Sequence, residues 1–164
     1  MSVDNLFTID FTSIAPLNFK ACLIAVLCGL IIGFERQWSG KPAGIRTSIL
    51  ICLSAYAFVA LGQYVMPGEG SARVVGQIVT GVGFLGAGVI IAKEGLVLGV
   101  TSAAVIWVLA AIGSLIGLNC YSSALILTLI TIFVLVGITL LEKLVLKLKR
   151  GVHKDYEKKE KEME

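Results

Sequence analysis

Between Glu94 and Glu142 the chain runs for 47 residues without a formal charge. About 18 uncharged, mostly apolar residues already suffice for a membrane crossing. The run therefore has room for two crossings, with the polar break "GLNCYSS" (117–123) between them. Charge elsewhere is just as uneven. The first 141 residues hold 11 formal charges, whereas 142–164 holds 8 of the 14 Lys and Arg and 6 of the 11 Asp and Glu. A soluble domain usually carries about 25% charged residues, and this chain carries 15% against 57% hydrophobic. A single soluble domain is excluded, and the bilayer is the expected solvent.

Five apolar stretches, roughly 17–34, 47–66, 74–92, 96–116 and 122–141, each approach the length needed to cross about 30 Å of hydrocarbon. Backbone groups in lipid must all be paired, so spans are helices or a closed barrel. These runs lack the alternation of barrel strands. The expected fold is an all-α membrane protein of five transmembrane helices, divided into an outer segment 1–16, a membrane domain 17–141 and a charged cytoplasmic tail 142–164. The first 16 residues contain Asp4 and Asp10 and no basic residue, unlike a secretory signal, so the first apolar run is read as a retained span. Arg36, Lys41, Arg46, Lys93, Lys143, Lys147, Lys149 and Arg150 then fall on one side and only Lys20 and Arg73 on the other. The positive-inside rule places the N-terminus outside and the C-terminus inside. Such a chain sits against membrane lipid, and nothing in it calls for nucleic acid.

The third stretch contains "GVGFLGAG" (81–88), which matches the G-x-G-x-x-G pattern of dinucleotide-binding loops. That pattern works only between a strand and a helix, with a carboxylate about 20 residues further on. Here it lies inside one apolar run, and the later stretch reads "TSAAVIW". The glycines are better explained by packing. Apolar side chains gain nothing from leaving lipid for each other, so membrane helices associate through small residues that let backbones approach. Gly76, Thr80, Gly83 and Ala87 form one helical stripe, with Gln77, Gly81 and Gly88 beside it. Gly29 and Gly33, Gly95 and Gly99, and Gly113 and Gly117 repeat the small-x-x-x-small step. The expected packing set is Gly29, Gly33, Gly76, Gly81, Gly83, Gly86 and Gly88, with the Gly-rich third helix central. Glycine-broken helices that build a transporter site are the rival reading.

Together "GLIIGFERQWSGKPAGIRTSIL", "RVVGQIVTGVGFLGAGVII" and "GVTSAAVIWVLAAIG" resemble the membrane domain of the MgtC/SapB family of bacterial inner-membrane proteins, over roughly residues 17–140. The resemblance implies a multi-pass protein of the bacterial inner membrane, tied to growth at low magnesium and to virulence through survival inside phagocytes. It implies a regulator that binds other membrane proteins, including the proton-translocating ATP synthase, in a family once assigned to magnesium transport. Two features depart from the family pattern. Longer members carry a soluble domain where this sequence has its charged tail, and "GEGSAR" stands where members often have Asp-Pro before the arginine of the third span.

Glu35, Arg36, Arg46, Thr47, Arg73 and Gln77 fall on motif positions and form the candidate polar set. Arg73 belongs to the outer side and Arg36 and Arg46 to the inner, so the set is two sites. Charge at membrane depth is expensive unless paired or useful, which makes Glu35 either a partner for Arg46, an ion ligand or half of an interfacial pair. No metal ligand set is assigned and no cofactor is expected. The four cysteines lack metal spacing, the single His lies in the tail, and no nucleophile has a base beside it, so no enzyme is expected. A non-enzymatic membrane regulator that self-associates through leftover glycine faces is the leading expectation. A Mg²⁺ or other cation transporter or channel is the alternative.

Overall fold

The computed structural model describes residues 15–93 and 96–144. It is built from helices: α1 (Phe19–Trp38), α2 (Ile45–Val65), α3 (Gly70–Gly88), α4 (Val100–Gly117), α5 (Tyr121–Ile132) and α6 (Ile138–Leu144), the last two joined by a π-helical turn at Phe133–Gly137. Counting α5 through α6 as one rod, these are five helices. Among the described residues three segments, Ile45–Val65, Val100–Gly117 and Tyr121–Leu141, are long and apolar enough to cross a membrane. α1 carries Lys20 near its start and Glu35 and Arg36 near its end, and α3 holds six glycines along with Arg73 and Gln77.

The helix starts are fixed locally. The Asn18 side chain accepts hydrogen bonds from the Lys20 and Ala21 N–H groups at 2.9 and 3.3 Å, satisfying donors that the helix leaves open. The Tyr56 hydroxyl of α2 accepts from the Asn18 N–H at 2.6 Å, tying the start of α1 to α2. Gly44 offers no side chain to cap α2, and Gln37 of α1 does so instead, its Oε1 accepting from the Ile45 N–H at 3.3 Å.

Between α3 and α4 the structure corrects the expected boundaries. The third helix stops at Gly88 rather than continuing to 92, and the fourth starts at Val100 rather than 96. Residues between them form an antiparallel hairpin of β1 (Ile91–Lys93) and β2 (Leu96–Leu98), with Ile91 opposite Leu98. The sequence "VIIA" followed by "LVL" is rich in branched side chains that suit an extended backbone. Gly99 then turns the chain with φ +88°, and a Cβ there would collide with the Val89 carbonyl oxygen. Gly99 of the expected packing step therefore lies before α4 rather than within it, and Gly95 lies outside the described residues. Expectations for the outer segment before residue 15, for Glu94 and for the tail beyond 144 lie outside the described residues.

The chain's centre also differs from expectation. α4 has eleven buried residues, among them Ile106, Leu109, Ile112 and Ile116, while α3 has four: Gly70, Ser71, Val82 and Gly86. α2 packs on α1, α3 and α4, and α5 closes the far side against α4 and α1. Within one chain the third helix is therefore peripheral. Glycine supplies no side-chain volume to fill a core, whereas the Ile and Leu of α4 do. The exposed side of α5 and its continuation presents Leu125, Ile126, Leu129, Ile130 and Phe133 outward, as a lipid-facing helix does.

Candidate functional site

The polar candidates occupy the two ends of the bundle. At one end, in the last turns of α1, Arg36 donates to Glu35 through Nε at 2.5 Å and through Nη2 at 2.8 Å, engaging both carboxylate oxygens. Ser39, one helical turn on from Glu35, donates its hydroxyl to Oε1 at 2.8 Å. The Arg36 side chain is 5% exposed and that of Glu35 15%. A guanidinium at this depth is sustainable because a forked, two-point pair satisfies it. Burial pushes the Glu35 carboxyl up, but the Arg36 and Ser39 hydrogen bonds and the charges of Arg36 and Lys41 outweigh it, and the group is held below the ordinary carboxylate value.

Glu35 is thus paired with its neighbour Arg36 and not with Arg46. Arg46 and Thr47 lie in the first turn of α2 at the same end and are exposed. Arg73 and Gln77 lie at the other end of α2, on the first turns of α3, separated from Arg46 by the length of a 21-residue helix. The described residues therefore hold two separate polar places. Sequence reasoning missed Ser39 and Gln37, although both lie in the quoted "ERQWSG" stretch and Ser39 stands at the i+4 spacing from Glu35 that brings side chains together.

The glycines divide by what a methyl group would meet. At Gly29 it would sit 2.7 Å from the Cα of Ile49, and at Gly33 2.7 Å from the Cα of Ile45 and 2.9 Å from the Cβ of Ser48. These two let α1 lie directly on the backbone of α2. Gly113 meets the Cys52 carbonyl and Gly117 the Val59 side chain in the same way, and Gly62 of α2 touches Gly70 of α3. Gly86 makes ordinary contact with Ala103 and Trp107. Around Gly76, Gly81, Gly83 and Gly88 a Cβ would meet, among the described residues, no atom beyond its own helix backbone within 4 Å. A groove of about 540 Å³ runs between α2 and α3, apolar except for Ser54, Arg73 and Gln77.

The MgtC family model matches residues 22–144. The chain is 40% identical over 129 residues to the "Putative magnesium transporter YhiD" of Escherichia coli (strain K12), covering 74% of this chain and 60% of that one. It is 44% identical over 109 residues to "Protein MgtC" of Salmonella typhimurium (strain LT2), covering 66% and 46%, and 45% identical over 116 residues to "Protein MgtC" of Brucella abortus (strain 2308), covering 70% and 48%. The chain thus spans about half to three-fifths of the length of these relatives. No solved structure matches it. The stretches that carry Glu35 and Arg36, Arg46 and Thr47, and Arg73 and Gln77 all lie inside the matched region, and the chain belongs to the MgtC family.

Proposed function

We propose that this chain is a non-enzymatic integral membrane regulator, associated with adaptation to low magnesium, that acts by binding other membrane proteins. The observation that carries the reading is the open face of α3. Among the described residues, a methyl group on Gly76 or Gly83 there would meet no atom beyond its own helix backbone, and Phe84 next to Gly83 is 82% exposed. A smooth face of this kind favours close approach by a partner helix. The orientation that suits it has five spans, the N-terminus outside and the C-terminus inside, in the bacterial inner membrane. A membrane complex such as the ATP synthase is the proposed partner, and a second copy of the chain competes for the same face.

The alternative, cation transport, draws support from the name of the Escherichia coli relative, "Putative magnesium transporter". A magnesium path needs free oxygen ligands. Glu35 has both carboxylate oxygens engaged by Arg36 and one also by Ser39, which supports a structural role for it over an ion-binding one. The test is a photo-crosslinking amino acid placed in cells at Phe84, with Phe133, which is 75% exposed on the lipid-facing side of the α5 rod, as control. The proposal expects crosslinks from Phe84 to subunits of a membrane complex and none from Phe133. Equal labelling from both, or none from Phe84, overturns it.

A further inference from the structure

The groove between α2 and α3 has a charged end and an apolar body. It begins where Gly62 and Gly70 bring the two helices into contact and runs past Phe58 and Leu61 of α2 to Leu85 of α3. Arg73 lines it near the Gly70 end and Gln77 follows one turn later. Among the described residues the Arg73 guanidinium has no hydrogen bond or ion pair, and Glu69, one turn earlier, makes none with it. α2 is apolar enough to cross a membrane, so the groove lies at membrane depth. An unpaired cation at the end of an apolar channel is the arrangement that suits an amphiphile with an anionic head.

Length and charge favour a lipid over a helix. From Arg73 to Leu85 is twelve residues of helix, about 18 Å, and one leaflet of hydrocarbon is about 15 Å deep. A partner helix brings no anionic group to meet Arg73, whereas a phospholipid carries a phosphate at one end and an apolar tail to lie along the rest of the groove. A single acyl chain is narrow enough to enter. We propose that the groove binds one anionic phospholipid of the bilayer, its phosphate on Arg73, a glycerol ester oxygen within reach of the Gln77 amide, and one tail lying along Phe58, Leu61 and Leu85. The site is independent of the regulatory reading. It would hold whether the protein regulates or transports.

The test is native mass spectrometry of the full chain in detergent, titrated with phosphatidylglycerol and with phosphatidylcholine of the same tails. The wild type is expected to retain one phosphatidylglycerol per chain in preference to phosphatidylcholine. Arg73→Gln should weaken phosphatidylglycerol about fivefold, the worth of one basic residue at an anionic surface, and erase the preference, while Arg73→Lys keeps it. Gly81→Phe extends a ring into the groove from a position where an added Cβ has no described atom within 4 Å, and should weaken both lipids together. Equal affinity for the two lipids in the wild type, or affinities unmoved by Arg73→Gln and Gly81→Phe, would overturn the proposal. So would a second copy bound in place of lipid, seen as a dimer mass that Gly81→Phe abolishes.

Discussion

Replacing Gly29 and Gly83 in turn by alanine separates glycine that packs from glycine that lies open. At Gly29 the new methyl would stand 2.7 Å from the Ile49 Cα and 2.9 Å from the Ile49 nitrogen and the Ser48 carbonyl oxygen. All three atoms are backbone, so no rotamer can yield. Carbon atoms rest at about 3.5–4.0 Å, and α1 and α2 must part by about 1 Å, at a typical overpacking cost of about 1–3 kcal/mol. At Gly83 the methyl meets, among the described residues, nothing beyond its own helix backbone within 4 Å. Alanine is favoured over glycine in a helix by roughly 0.5–1 kcal/mol, and this gain applies at both positions. The difference between the variants therefore isolates the clash, and Gly29→Ala should be about 1–3 kcal/mol less stable than Gly83→Ala. Reversible unfolding in mixed micelles, followed by the fluorescence of Trp38 and Trp107, measures it. Equal stabilities, or Gly83→Ala as the weaker variant, would refute the assignment of α1 on α2 as the tight contact.

Other consequences follow from the same geometry. Arg36→Leu leaves the Glu35 carboxylate half-buried without its partner and should cost about 3 kcal/mol, the low end for a broken buried pair, measured by the same unfolding assay; Arg36→Lys should recover part of it. Because the Glu35 carboxyl is held below its ordinary value of 4.5, its contribution is complete above that pH and is lost as pH falls through the lower folded value; the acid loss should flatten in Glu35→Gln. Gly99→Ala, forced into φ +88° against the Val89 carbonyl, should destabilise the hairpin by about 1–3 kcal/mol and be visible as reduced folded yield. Tyr56→Phe removes the acceptor of the 2.6 Å Asn18 bond and should cost about 1 kcal/mol in thermal unfolding.

Helical class was legible in the sequence because uncharged runs of membrane length admit few backbone solutions, and the steps from Gly29 to Gly33 and from Gly113 to Gly117 lie on close contacts with α2. The hairpin at 91–98 was not, since a short apolar run reads alike as the end of a buried helix or as a strand. The place of α3 was hidden for a related reason. A stripe of small residues states that something can approach closely, and leaves open whether the neighbour is in the same chain. In the polar set, motif position picked out Glu35 and Arg36, but their partnership depends on a fold-back between adjacent side chains that helical spacing argues against. Arg73 and Gln77 stand at motif positions in the sequence. Their shared groove emerged only once α2 and α3 were seen to touch at Gly62 and Gly70.

The most direct measurement of the central claim is Mg²⁺ flux into proteoliposomes that hold the purified, folded chain and a trapped indicator dye, with Glu35→Gln alongside. A regulator in which Arg36 and Ser39 occupy the Glu35 carboxylate predicts uptake no faster than in empty liposomes for both proteins. Saturable Mg²⁺ uptake by the wild type that Glu35→Gln abolishes would contradict it and make Glu35 part of an ion path.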